Sequence, residues 1–144
     1  MLSQTHLNQI LLTTDIEPNR LEFIQMSQNY VYRYSDINDQ KILRISTGRD
    51  RTKSQIEAEL SWVNYLADYG INTCRPIKLE DGRLLESIEI NGENNILTLF
   101  EHAPGKQVER KTADEATFES IGRLTGEMHT VAHHFSQDTK QPSR

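Results

Sequence analysis

The chain has 144 residues, the length of one ordinary domain and short for two. Sixteen Lys and Arg against twenty-one Asp and Glu leave a net charge of −5, the wrong sign for a chain whose main partner is a nucleic-acid backbone. Apolar residues make up 35% and mean hydropathy is −0.66, but these residues fall in short periodic runs such as Ile10-Leu11-Leu12, which argues for a folded domain and against a membrane span.

The first residues lack a basic flank followed by a sustained apolar stretch, so no secretory leader is expected. Ser3 has the chemistry of a helix cap, and Leu7, Ile10 and Leu11 share one side of the short helix it would open. Pro18-Asn19 breaks the chain before a strand at Leu21–Gln25. The polar break Met26–Asn29 leads into a second strand, Tyr30–Tyr34, with Tyr30, Tyr32 and Tyr34 on one face and Val31 and Arg33 on the other. Asp36–Asp39 is turn chemistry, and Lys41–Ser46 completes an antiparallel meander.

The period then changes. After a charged loop at Thr47–Arg51, Ile56, Leu60, Val63 and Leu66 recur at helical spacing until Gly70. Cys74, the only cysteine, has no partner for an internal disulfide; it fits a reducing, cytoplasmic compartment and reads as a packed strand residue. Pro76–Leu79 and Leu84–Ile90 are strands around the Asp81-Gly82 turn, and Asn91-Gly92 is a hairpin signal leading into Asn95–Phe100. Thr112 and Glu115 have the spacing of a capping box. Beyond them Phe118, Ile121, Leu124, Met128, Val131 and Phe135 mark one face of a long helix, with Gly122 and Gly126 read as permitting close packing. A polar, frayed tail is expected at Ser136–Arg144. The fold class is therefore α+β: a five-stranded antiparallel sheet with one helix packed on a face, followed by a long C-terminal helix.

Five segments in this order carry a resemblance: NYVYRY (29–34), KILRIS (41–46), EAELSWVNYLADYG (57–70), LTLFEHAPG (97–105) and GRLTGEMH (122–129). Together they resemble the N-terminal lobe of the kinase-like small-molecule phosphotransferases, the family of aminoglycoside phosphotransferases and homoserine and choline kinases. The resemblance implies a nucleotide-binding lobe at 1–105, then a linker and the first helix of a larger lobe at 106–144. It implies ATP as the nucleotide, with Arg44 at the phosphates and Ile42, two positions earlier on the same strand face, against adenine. A guanidinium suits phosphate oxygens, although a strand arginine is otherwise commonly a sheet-surface residue. Glu59 is the implied partner that holds Arg44, since it shares a helix stripe with Val63 and Leu66 and an inward carboxylate needs a cation; Glu57 is the competing residue.

Phe100-Glu101-His102-Ala103 resembles the hinge between the lobes. There the Glu101 carbonyl and Ala103 amide would pair with the base and Phe100 would form the rear of the pocket; a plain hairpin exit is the alternative. Ser27 and Asn29 sit where a phosphate-covering loop would lie, though without its glycines, and a simple turn is equally compatible. No metal site is expected: His129 and His133 are four apart, but no third ligand is evident. Lys41, Arg49, Arg51 and Lys53 read as a solvated basic rim.

The family's catalytic loop is His-x-Asp, followed by an Asn and a further Asp for magnesium. No histidine here is followed two residues later by Asp, and neither Asp-Phe-Gly nor Asp-x-Asp occurs. The chain is thus expected to hold nucleotide, to meet magnesium only with the larger lobe, and to be inactive alone. The rival expectation is a stand-alone, non-catalytic interaction module. In either case the apolar face of helix 113–134 is expected to lack a partner within the chain and to support a homodimer or domain swap.

Overall fold

The computed structural model describes residues 1–49 and 51–138, without the side chains of 136–138; of the tail expected to fray from Ser136, the first three residues are helical and the rest lie outside the described residues. Helix α1 spans Gln4–Leu11, and the Ser3 side chain accepts a hydrogen bond from the His6 amide at 3.2 Å, as an N-cap should. The strands are β1 (Leu21–Met26), β2 (Asn29–Ser35), β3 (Gln40–Thr47), β4 (Pro76–Ile77), β5 (Leu85–Ile90) and β6 (Glu93–Glu101). Helix α2 (Lys53–Asp68) follows β3, and helix α3 (Glu115–Asp138) follows β6.

All pairings are antiparallel, in the order β1-β2-β3-β6, and the far edge of β6 is shared by two strands. Strand β5 takes its first part, from Ile90↔Glu93 to Leu85↔Thr98, and β4 takes its end, with Pro76↔Phe100. The sheet thus has six strands in five columns. Strand β4 is shorter than the expected Pro76–Leu79, because the Leu79 amide donates to the Arg83 carbonyl and the chain turns there around Gly82, at φ +83°. At the β5–β6 turn both Asn91 (φ 54°) and Gly92 (φ 77°) are left-handed, the twist that suits a two-residue hairpin.

Alternation along the strands sends two sets of side chains to opposite faces. Tyr32, Tyr34, Leu43, Ile45, Leu97 and Leu99 meet Leu7, Ile10 and Leu11 of α1 in the larger core. On the other face Ile56 and Leu60 of α2 pack on Leu85 and Ile96, with Leu84 and Phe100 at the margin. Thr52 and Gln55 close a capping box at the start of α2: the Thr52 hydroxyl accepts from the Gln55 amide and the Gln55 side chain from the Thr52 amide.

Helix α3 corrects three expectations. Its cap is Asp114, whose Oδ1 accepts from the Thr117 amide at 2.9 Å, whereas the Thr112 hydroxyl donates back to the Glu109 carbonyl. A carboxylate one residue before the helix reaches the third amide, and Thr112 lies too far upstream. Nothing approaches the Cβ positions of Gly122 or Gly126 within 4 Å, so neither serves close packing among the described residues. The apolar face is also not wholly unpartnered, because the Phe135 ring lies 5.0 Å from Trp62 and 4.8 Å from Tyr65 on α2. Phe118, Ile121 and Leu124 remain exposed.

Candidate functional site

Strand β3 presents Ile42, Arg44 and Ser46 to the α2 face, opposite Phe100, Thr98 and Ile96 of β6 in register. Val31 of β2 pairs with Arg44 from the other side. Val31, Ile42, Arg44 and Phe100, together with Cys74 and the chain at Glu101–Ala103, line an open, largely apolar concavity of about 360 Å³. Phe100 forms one wall, and the Arg44 guanidinium carbon sits 4.9 Å from its ring centroid, within cation–π range.

Arg44 is mostly buried, its side chain 15% exposed, and its Nη1 donates to Glu59 Oε1 at 2.6 Å. The Arg51 guanidinium donates to the other carboxylate oxygen, Oε2. Burial alone would raise the Glu59 carboxyl, but the two arginines, Arg44 foremost, outweigh it and hold the group below the ordinary glutamate value. Glu59 is therefore ionised at neutral pH. Nε and Nη2 of Arg44 are buried and take no hydrogen bond. Glu57, the competing carboxylate, faces solvent beside Lys53 at 3.8 Å.

The hinge candidates begin where β6 ends. The Glu101 amide donates to the Arg75 carbonyl at 2.9 Å, and the Arg75 amide donates back to the Glu101 carboxylate at 3.2 Å. The concavity thus gathers Ile42, Arg44, Phe100, Glu101 and Ala103, with Glu59 held against Arg44. Ser27 and Asn29 lie outside its lining, at the β1–β2 turn. There the Ser27 amide donates to the Asn29 carbonyl, and Asn29 Oδ1 accepts from the Ser46 hydroxyl at 2.7 Å. Ser46 is four residues beyond Ile42 on the same face, so the turn lies roughly 13 Å along β3 from the hinge end of the concavity, at strand rise.

Two participants differ from their sequence reading. Cys74 precedes β4 in irregular chain, half-buried, and lines the concavity; it is not on a strand because pairing starts only at Pro76. Arg51 is no solvated rim residue but the second cation on Glu59, whereas Arg49 and Lys53 are exposed, as a rim would be. Arg51 was hidden because it lies just outside the helix, where periodicity places nothing. The T-x-x-Q capping box at Thr52 was a readable signal for where α2 begins. Among the described residues no three His, Cys, Asp or Glu side chains gather to hold a metal ion, and no helix is long and apolar enough to cross a membrane.

Residues 22–143 match the model of the phosphotransferase enzyme family, nearly the whole chain. The chain belongs to that family. It is 31% identical over 114 residues to amicoumacin kinase of Bacillus subtilis (strain 168), covering 78% of this chain and 34% of that protein. An uncharacterised Synechocystis protein is 30% identical over 129 residues, covering 89% of this chain and 36% of the other. Among solved structures, an amicoumacin kinase in complex with AMP-PNP, Ca2+ and Ami superposes with a TM-score of 0.79 at 29% identity, over 91% of this chain and 40% of that one. A microcompartment-associated aminopropanol kinase shares the fold, with a TM-score of 0.72 at 24% identity, over 89% and 40% of the two chains. The 144 residues thus span about a third of the curated relatives they match.

Proposed function

We propose that these residues form the nucleotide-holding lobe of a small-molecule kinase that transfers the γ-phosphate of ATP to a substrate hydroxyl. Residues 1–105 are the lobe, and 106–144 the linker and first helix of a larger lobe. The observation that carries the reading is Arg44: ion-paired to Glu59, set in the wall of an apolar concavity, with two buried donors left unbonded. Unbonded buried guanidinium donors are costly in an apolar wall and fit phosphate oxygens well. A flat base suits the apolar slot lined by Val31, Ile42 and Phe100 at the hinge end. The solved amicoumacin kinase holds a nucleotide analogue, which supports the same use of the cleft here.

In this reading Ile42 and Phe100 keep water off the base, and backbone groups of Glu101 and Ala103 hydrogen-bond its edge. Arg44 takes phosphate oxygens while Glu59 holds the guanidinium in place. Ser27 and Asn29, joined to β3 through Ser46, cover the phosphate end. ATP, when bound, supplies the phosphoryl group. Transfer also needs an Asp to orient the acceptor hydroxyl and further ligands for magnesium, in a His-x-Asp pattern that these residues do not contain. The chain alone therefore binds adenine nucleotides weakly, with little dependence on magnesium, in the cytoplasm.

Titration calorimetry with ATP and adenosine, each with and without magnesium, tests this. Arg44→Ala is expected to weaken ATP by about 1.5–3 kcal/mol, the worth of a charge-assisted hydrogen bond, and to weaken adenosine less. Equal losses for both ligands, or a tight and strongly magnesium-dependent affinity, would overturn the assignment.

A further inference from the structure

We propose that Arg51 is a positioning residue for the phosphate end of the cleft: by occupying the second oxygen of Glu59, it keeps that carboxylate from consuming the remaining donors of Arg44. The inference rests on the phosphate role of Arg44. Arginine–carboxylate pairs are frequently bidentate, with both oxygens on one guanidinium. Here the pair is split. Arg44 Nη1 holds Oε1 and Arg51 holds Oε2, so Arg44 keeps Nε and Nη2 unbonded.

Arg51 is launched from a fixed point, because the next residue is Thr52, locked at both ends of the α2 capping box. Among the described residues the cluster holds two cations and one anion, leaving one positive charge beside the apolar slot. A phosphate entering the cleft would balance that charge without displacing either ion pair. Without Arg51, the carboxylate is free to rotate onto Arg44 and engage it through both oxygens.

The test compares the ATP-over-adenosine preference of the wild-type chain, Arg51→Ala, Arg51→Lys, Glu59→Gln and the Arg51→Ala/Glu59→Gln double variant. Arg51→Ala is expected to lower the preference about three- to tenfold, one ordinary hydrogen bond's worth of positioning. Arg51→Lys restores most of it, since an ammonium can also occupy Oε2. Because Arg51 acts through Glu59, Arg51→Ala adds nothing further in the Glu59→Gln background. A full additional loss there would mean that Arg51 touches phosphate itself and would overturn the proposal, as would no loss in the wild-type background. Arginine side-chain NMR gives a second readout without nucleotide: the Arg44 guanidinium protons should shift in Arg51→Ala and return in Arg51→Lys, and an unmoved signal would also overturn it. Failure of Arg44→Ala to affect ATP preference, with the NMR coupling intact, would instead indict the phosphate reading.

Discussion

On the α1 side of the sheet, Leu43, Ile45, Leu97 and Leu99 disappear beneath Leu7, Ile10 and Leu11. On the α2 side the same strands present Ile42, Arg44, Ser46 and Phe100, and the helix covers only the part around Ile56 and Leu60. One side carries the apolar burial that offsets the entropy of ordering the chain. The other keeps a partly covered floor with a charged cluster at its edge, which leaves the concavity open. The larger core and the candidate site are thus divided between alternate residues of the same strands.

The division is broken most severely on the α1 side. Ile45 is fully buried, so Ile45→Ala should cost about 2–5 kcal/mol in urea denaturation, transfer plus cavity. The ATP-over-adenosine preference of the folded fraction should be unchanged. A cost below about 1 kcal/mol would mean the α1 layer is not the stabilising one.

A smaller effect probes the open side through acid. A carboxyl whose pKa is lower folded than unfolded contributes fully above its unfolded value, about 4.3 for glutamate. The contribution is then lost as pH falls through the depressed folded value. Glu59 is such a group, so Glu59→Gln should flatten the acid limb of the stability curve below that point. Denaturation midpoints across the acid range check this; parallel curves for the two proteins would mean the arginines gain nothing from the carboxylate.

Most of this architecture was legible in the sequence, because period and turn chemistry are local. The meander, α2, the Asn91-Gly92 hairpin and the Ser3 cap all follow from residues within a few positions of one another. The Arg44–Glu59 juxtaposition came from a family pattern, since no local rule joins a strand position to a helix position fifteen residues on. Arg51 and Cys74 were misread for a related reason. Both lie in irregular chain, where neither the two-residue nor the 3.6-residue period assigns a direction. The shared outer column of the sheet escaped too, because a two-residue strand leaves almost no periodic signal.

The smallest expected effect lies on the exposed face of α3. Leu124 is 38% exposed, so Leu124→Glu should change stability by no more than about 0.5 kcal/mol. If the face formed with Phe118 and Ile121 mediates association, light scattering should show a concentration-dependent mass for the wild type that this variant reduces. A monodisperse monomer, unchanged by the variant, would remove that surface from consideration.

The register of β3 on β6 also governs the order in which the chain assembles. The β1–β2–β3 meander and the β5–β6 hairpin each join neighbours in sequence, the pairing with the shortest loops to close; a β-hairpin forms in about 1–10 μs. Pairing β3 with β6 must close a loop that contains all of α2, an entropic cost met only once both units exist. Val31, Ile42 and Arg44 belong to the first unit, and Phe100 and Glu101 to the second. The cleft is a seam between two locally folded pieces, so a chain caught before zipping carries every residue of the site without having the site.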